Sequence, residues 1–342
     1  MTFSLAIKIK HHGDYSLKRI KASAPAKVIL LGEHFVVHGE PAIVLAIDKR
    51  ATVTVEVRND SKIFIESKDI GASGFFVNDE FHPKMGGEEA GRKLEPIYAI
   101  VKEAIRRYNL RYGININIES SIPVGAGLGS SAAVSVATAS AIFSMLDPKV
   151  SKDTIFNAAF NAEKIVHETP SGVDPAVSTY GGILWYCRSK PIRRLKIDIN
   201  LPLVIGNTGK ERSTGKLVAK VNKLRSRYPL IVGKIIKAGG EIVKRSVKAL
   251  REGDLKTLGE LMNIDHELLR ALGVSCRELE ELIYAAREAG ALGAKLTGAG
   301  GGGCMIALAY PEKIIDVAHA IKEAGGEVLI TEKTDEGVII EK

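Results

Sequence analysis

A glycine-rich segment at 123–131 has the clearest chemical potential: glycines occupy alternate positions and two serines follow. Alternating glycines let backbone N–H groups approach an anion closely, and the start of a helix adds unsatisfied donors and a positive dipole. The small and apolar run 132–146 predicts that helix, and the serine hydroxyls could meet phosphate oxygens or magnesium. The segment therefore predicts a phosphate-binding loop, with a tight turn against a closely packed helix as the alternative.

Two better-known nucleotide motifs do not fit the chain. A Walker A loop needs Gly-Lys followed by Ser or Thr, and the Gly-Lys pairs beginning at 209, 215 and 233 lack it. A second glycine segment, at 298–303, matches the dinucleotide-binding pattern, but the residues after it predict a strand rather than a helix. This segment is equally compatible with a loop that closes over phosphates and with a hairpin.

Three charged residues could act on a transferred phosphoryl group. Glu163 lies late on a predicted helix and could hold magnesium, whereas Asp174 lies in the loop beyond it and could accept a hydroxyl proton. Lys27 lies beside an apolar strand and could neutralise the phosphoryl group. Taken singly, each of the two carboxylates is more typical of a solvated surface charge. The lysine, taken singly, is typical of an ordinary residue at the edge of a strand.

The elements that must position these residues divide into two parts. Apolar and alternating runs predict strands and helices on both sides of the first glycine segment, whereas the glycine-rich, charged stretch 67–91 predicts a mobile loop. Amphipathic helices between 215 and 290 precede a strand–glycine–strand unit. The pattern predicts two domains, 1–190 and 191–342, with an α+β second domain.

Composition narrows the function class. The chain has 342 residues and a formal net charge of +8, with its basic residues spread out rather than clustered. This spread argues against nucleic acid as the partner and fits small anionic substrates. No run is long and apolar enough to cross a membrane, and the cysteines form no CxxC pair, so a cytoplasmic protein is expected. His34 and His38 lack an evident third ligand, so zinc is not expected.

Four segments, 24–34, 123–131, 171–174 and 295–303, together resemble the GHMP kinase superfamily, in its order and with its spacing. Within the superfamily, the stretch 163–182 and the Gly-Glu-His motif at 32–34 are most similar to the mevalonate kinases. The resemblance implies a two-domain α+β fold with an N-terminal domain like the second domain of ribosomal protein S5 and a ferredoxin-like C-terminal domain. It also implies that the active site lies in the cleft between them.

The resemblance implies transfer of the γ-phosphate of ATP, with Mg²⁺, to the primary hydroxyl of mevalonate. Another small-molecule GHMP kinase, acting on phosphomevalonate or homoserine, stays open as an alternative, and so does a catalytically silent nucleotide-binding regulator. The oligomeric state stays open, with a homodimer as one possibility. Two departures from the family pattern, Ala26 where glycine is usual and Pro175 where asparagine is common, remove no catalytic group.

Carried over position by position, the resemblance implies a role for each candidate residue. Asp174 is implied as the base with Lys27 beside it, and Ser131 and Glu163 as the magnesium ligands. The ATP phosphates are assigned to Pro123, Gly125, Ala126, Gly127, Leu128, Gly129, Ser130 and Ser131. The substrate is assigned to Glu33, His34, Arg212, Thr214, Gly298 and Ala299.

Overall fold

The computed structural model describes residues 19–123, 125–166, 171–188, 190–211 and 213–341. Within these ranges the chain forms two sheets, each covered by helices. None of the helices in these ranges combines the length and the apolar character needed to span a bilayer.

The larger sheet contains nine strands of the described chain and is mixed, with the order β13-β1-β2-β6-β3-β4-β5 and with β7 and β8 extending from β2. All its pairings are antiparallel except that of β3 with β6. The longest strand of this sheet, β2, runs over 17 residues. The strands of this sheet are β1 (Arg19–Leu31), β2 (Pro41–Val57), β3 (Ile63–Ser67), β4 (Ala72–Val77), β5 (Glu80–Met85), β6 (Ile114–Ser120), β7 (Ile183–Cys187), β8 (Arg193–Leu195) and β13 (Ile339–Glu341).

Four helices accompany this sheet: α1 (Gly87–Tyr108), α2 (Ser130–Leu146), α3 (Lys152–Val166) and α4 (Val173–Tyr180). The small residues of the predicted helix 132–146 explain the place of α2, which packs against β1 and β2 and is buried along most of its length. Small side chains let its backbone approach the sheet closely, so the first turn of α2 lies next to β1.

The prediction of a mobile loop at 67–91 was wrong. This stretch forms β4, β5 and the start of α1. Two of its glycines serve packing: a Cβ on Gly74 would lie 2.5 Å from the Phe81 ring, and one on Gly91 would lie 2.8 Å from the same ring. Glycine that makes room for an aromatic ring has the same local composition as glycine in a loop, so the pattern misled the prediction.

The smaller sheet is antiparallel, with the order β10-β11-β9-β12. Along the chain, helices lie between β9 and β10 and between β11 and β12. This connectivity and strand order are those of a ferredoxin-like domain, as expected. The elements are β9 (Pro202–Asn207), β10 (Gly293–Leu296), β11 (Cys304–Leu308) and β12 (Glu327–Glu332), with α5 (Thr214–Arg227), α6 (Pro229–Glu252), α7 (Leu255–Ala271), α8 (Arg277–Glu288) and α9 (Ile314–Glu323).

The chain returns to the larger sheet at its end. Strand β13 pairs with β1, and the guanidinium of Arg50 donates both to the Ser23 carbonyl (2.9 Å) and to the Gly337 carbonyl (2.8 Å). Two strands that follow residue 190, β8 and β13, thus belong to the larger sheet. The exact domain boundary stays a prediction.

Candidate active site

Lys27 and Asp174 form an ion pair beside the first glycine segment. Lys27 Nζ lies 3.3 Å from Asp174 Oδ1, with the lysine side chain 8% exposed and the aspartate side chain 28% exposed. The lysine comes from β1 and the aspartate from the first turn of α4. A cation and a carboxylate at the edge of a buried region can neutralise a transferred phosphoryl group and receive a hydroxyl proton, respectively.

Helix α4 is held against β1 by a buried contact. The Ser178 hydroxyl donates to the Pro25 carbonyl over 2.8 Å. At the other end of the helix, Gly172 has φ +73°, and a Cβ there would lie 3.1 Å from the Phe160 ring on α3. Glycine therefore lets α3 and α4 pack closely at the start of α4, where Asp174 lies in the first turn.

The carboxyl group of Glu163, on α3, faces this ion pair. Its Oε2 is buried and has no hydrogen-bond partner within the described residues. Burial, with repulsion by Asp174 added, raises the pKa of Glu163 to about 7, while Lys27 opposes the shift. Two carboxyls against one ammonium leave an excess of negative charge, so the arrangement favours an additional cation.

The first glycine segment alternates between anchored and open positions. Ala126 and Leu128 are buried in the core, whereas Gly125 and Gly127 are exposed. The segment leads into α2, whose N-cap, Gly129, makes no side-chain cap, so the first N–H groups of the helix lack that partner. The backbone donors and the helix dipole make this end a site for phosphate oxygens.

Gly129 also makes room for Lys27. The Lys27 N–H donates to the Leu128 carbonyl (2.9 Å), which joins the glycine segment to β1. A Cβ at Gly129 would lie 2.8 Å from Lys27 Cγ, and the φ of this glycine is +77°. Ser130 and Ser131 begin α2 immediately after this contact, and Pro123 enters the segment from the other side. Val124 lies outside the described residues.

The second glycine segment, 298–303, and the residues just before it lie against the segment 24–34. His34 Nε2 donates to the Ala299 carbonyl (2.8 Å), and both Glu33 and His34 are buried. The Thr297 hydroxyl accepts from the Ile29 N–H (3.1 Å) and donates to the Ile29 carbonyl (2.9 Å). The structure therefore brings the predicted substrate residues Glu33, His34 and Ala299, with Gly298 next to it, together across the two sheets.

A buried cluster of charges behind Glu33 had no predicted role. Lys295 Nζ contacts Glu33 Oε1 and lies 3.3 Å from Asp265 Oδ2 on α7. Lys295 is the first residue of the segment 295–303, and its place in an all-buried strand indicates that it needs a counter-charge. Asp265 lies on the buried face of an amphipathic helix, where a carboxylate needs a partner.

Two predicted substrate residues are less directly placed. Arg212 lies outside the described residues. Thr214 is exposed at the first position of α5, one turn before Leu217. A Cβ on Gly301 would lie 2.9 Å from the Leu217 side chain, so the start of α5 packs beside the second glycine segment.

Comparison with family models identifies two matching regions. The model described as GHMP kinases N terminal domain matches residues 96–182, which include the first glycine segment, Glu163 and Asp174. The model described as GHMP kinases C terminal matches residues 246–327, which include Asp265, Lys295 and the second glycine segment.

Curated relatives match nearly the whole chain. A mevalonate kinase of Pyrococcus horikoshii is 45% identical over 336 residues, covering 95% of this chain and 99% of that protein. A mevalonate kinase of Thermococcus sibiricus is 44% identical over 331 residues, covering 94% and 98% respectively.

Solved structures agree in fold. L. major mevalonate kinase in complex with R-mevalonate superposes with a TM-score of 0.80 at 29% identity, covering 93% of this chain and 96% of that one. Methanococcus jannaschii mevalonate kinase gives a TM-score of 0.80 at 26% identity, covering 93% and 99%.

Proposed function

Since this chain belongs to the GHMP kinases, in the mevalonate kinase family, we propose that it transfers the γ-phosphoryl group of ATP to the primary hydroxyl of mevalonate. The observation that carries the proposal is the Lys27–Asp174 pair, 3.3 Å apart, beside a glycine segment that ends at an uncapped helix. A hydroxyl acceptor, a phosphoryl donor and a neutralising cation can meet at this point.

The transfer step uses the two charged side chains in different ways. The substrate hydroxyl oxygen forms a bond to the γ-phosphorus as the bond to the bridging oxygen of the departing ADP breaks. Asp174 Oδ receives the hydroxyl proton, and Lys27 stabilises the negative charge of the phosphoryl oxygens. Their mutual contact fixes the position of the two groups relative to each other.

The ATP phosphates are assigned to the segment from Pro123 to Ser131, with the backbone N–H groups as donors. Mg²⁺ fits beside it because Glu163 offers a buried, unpartnered Oε2 near a second carboxylate. Glu163 and the Ser131 hydroxyl would hold the ion together with ATP phosphates, a ligand set that magnesium commonly takes. When bound, it supplies neutralisation of charge on the phosphates.

Recognition of the substrate is assigned to the opposite side of the cleft. Glu33 and His34 lie buried beside Gly298 and Ala299. Arg212, with Thr214 close to it in sequence, would suit the substrate carboxylate, since guanidinium forms paired hydrogen bonds with carboxylates. This arrangement leaves the hydroxyl end of mevalonate for Asp174.

A coupled assay of ADP release tests the function. The purified protein with ATP and Mg²⁺ is expected to turn over mevalonate, with phosphomevalonate and homoserine much poorer. Preference for either of those would make the chain another small-molecule GHMP kinase. Binding of ATP without turnover of any of these three compounds would favour a nucleotide-binding regulator and contradict the proposal.

A further inference from the structure

A groove with a basic rim lies between strands β7 and β8 of the larger sheet and helix α6 of the smaller one. Its cavity has a volume of about 360 Å³, a size typical of sites for small ligands. Among the described residues that line it, none is acidic. None of them belongs to the site described above, so phosphoryl transfer leaves this groove unexplained.

The floor of the groove is apolar and aromatic. Trp185, Leu195 and Val247 are half-buried and pack against the main core. Trp185 on β7 pairs directly with Arg193 on β8, and the Arg193 guanidinium carbon lies 5.9 Å from the centre of the indole ring. This separation is at the outer limit of a cation–π contact, so the guanidinium does not cover the ring closely. The indole can therefore stack against a flat ring of a ligand.

Three exposed cations stand at the rim: Arg193 from β8, and Lys244 and Arg251 from α6. Lys244, Val247 and Arg251 follow one another at intervals of three and four residues, so they lie on one face of the helix. The spacing of Lys244 and Arg251 corresponds to about 10 Å along the helix axis. The rim thus places positive charge along the groove rather than at one point.

Two of the rim cations have no counter-charge. Within the ranges that the structure describes, neither Arg193 nor Arg251 forms an ion pair. Arg194, which also borders the groove, differs, because its guanidinium donates to the Asp335 carbonyl over 2.9 Å and lies 3.6 Å from the Asp335 carboxylate. The charge of Arg194 is therefore already compensated, and it is given no part in ligand binding.

Lys244, the third rim cation, is only loosely engaged. Its Nζ lies 3.9 Å from Glu241 Oε2, while Oε1 of the same carboxylate lies closer to Arg245 Nε, at 3.3 Å. All three side chains are more than half exposed, and exposed ion pairs of this kind contribute little. The rim thus keeps an excess of positive charge, which fits an anion with several charges.

We propose that this groove is a second nucleotide site: it binds a nucleoside polyphosphate, with the phosphates at Arg193, Lys244 and Arg251 and the base on Trp185. Cations spread along a groove suit a row of phosphate groups better than a single phosphate. A strand of nucleic acid would need a longer groove with several aromatic side chains, whereas this one offers a small cavity with a single indole. The inference does not depend on turnover of mevalonate.

Tryptophan fluorescence tests the site directly, because Trp185 is the only tryptophan in the sequence. Titration with ATP is expected to change its emission, and the dissociation constant should rise with salt because the rim is exposed. Tripolyphosphate, which has the charges without the base, is expected to bind about tenfold more weakly, since it lacks the stacking contact. Equal affinity for tripolyphosphate and ATP, or tighter binding of a short single-stranded oligothymidylate, overturns the inference.

The double variant Lys244→Gln/Arg251→Gln separates the groove from the glycine segment. Both side chains are exposed, so the variant should fold as wild type, and the dissociation constant from Trp185 emission should rise at least about tenfold. The matched control is Lys248→Gln, an exposed lysine on the same helix that does not line the groove, and it should stay within about twofold of wild type. An unchanged affinity in the double variant would mean that the signal comes from ATP bound elsewhere, and it overturns the inference.

Equilibrium dialysis with labelled ATP counts the sites without any turnover. The ATP concentration is chosen to saturate the wild-type protein while remaining below the dissociation constant that the double variant shows by fluorescence. The wild-type protein is expected to bind two nucleotides per chain and the double variant one. Equal counts in the two proteins overturn the inference. A count of one in wild type and none in the double variant supports the groove but contradicts the glycine segment as an ATP site, so the two proposals can fail separately.

Discussion

Lys27 Nζ lies 3.3 Å from Asp174 Oδ1, although one residue comes from the first strand of the chain and the other from its fourth helix. The close approach depends on two other contacts: Gly129 leaves room for the lysine stem, and Ser178 ties α4 to β1. The position of the pair is therefore set by the packing of α2 and α4 against β1. Preorganised charge of this kind costs no rearrangement during phosphoryl transfer.

Asp174→Asn is expected to reduce kcat at least about 100-fold, because the amide cannot take the hydroxyl proton and no longer offsets Lys27. The KM for ATP should change little. Steady-state kinetics with mevalonate and ATP, each varied at saturating levels of the other, measures both effects. Asp198→Asn, at an exposed position, is the control and should behave as wild type. Nearly full turnover by Asp174→Asn would rule out its role as base.

Gly129→Ala and Gly125→Ala are expected to differ in stability. Both residues have positive φ, which costs alanine about 1–2 kcal/mol. Only the Cβ at Gly129 would meet Lys27, at 2.8 Å, whereas the one at Gly125 would meet nothing within 4 Å. The clash adds about 1–3 kcal/mol to the destabilisation and displaces the lysine.

Urea denaturation measures this difference. Gly233→Ala is the control for the same chemical change in a helix with open space, where alanine should stabilise by about 0.5–1 kcal/mol. Equal losses for Gly129→Ala and Gly125→Ala would mean that the lysine stem adjusts freely, and that Gly129 is not needed for its position.

Glu163→Gln is expected to raise the Mg²⁺ concentration needed for half-maximal rate by about tenfold or more, because an amide oxygen binds magnesium more weakly than a carboxylate does. Rates measured over a magnesium series at fixed ATP provide the test. The fold should be as stable as wild type, since burial already disfavours the charge of this side chain. An unchanged magnesium requirement in a folded variant would remove Glu163 from the ligand set.

The sequence predicts the site better than it predicts the contacts behind the site. Lys27, Glu163 and Asp174 lie in or beside short motifs that can be recognised in the sequence. Phosphoryl transfer needs a cation, a metal ligand and a proton acceptor, so the residue types at these positions indicate their roles. The structure brings these three together. Their roles still stay predictions, because proximity does not measure catalysis.

The buried cluster of Glu33, Lys295 and Asp265 could not be predicted in the same way. Lys295 and Glu33 are 262 positions apart in the chain. Asp265 lies in a helix whose amphipathic pattern can be recognised from the sequence, but the way this helix packs against β10 depends on the tertiary fold. A local pattern shows that a charge falls on a buried face, but not which charge lies opposite. The prediction for the stretch 67–91 failed for a related reason, because Gly74 and Gly91 make room for the Phe81 ring, a packing contact that the local composition does not show.

Glu33→Gln is expected to change how stability depends on pH. The pKa of Glu33 is about 8 in the folded protein against an ordinary value of 4.5, so the folded state binds the extra proton between these values. Stability from this group is therefore complete below about 4.5 and is lost as pH rises toward 8, by at most about 1.4 kcal/mol per pH unit.

Glutamine keeps the neutral form at every pH, so the variant should lack this loss and become relatively more stable than wild type above neutral pH. His266 acts with the opposite sign between about 3 and 6.5, but it does so in both proteins and cancels in their difference. Urea denaturation of wild type, Glu33→Gln and the control Glu267→Gln from pH 5 to about 8.5 measures that difference. Parallel curves for wild type and Glu33→Gln would show that Glu33 is already ionised in the folded protein, whereas curves that separate as pH rises locate the proton on this carboxyl.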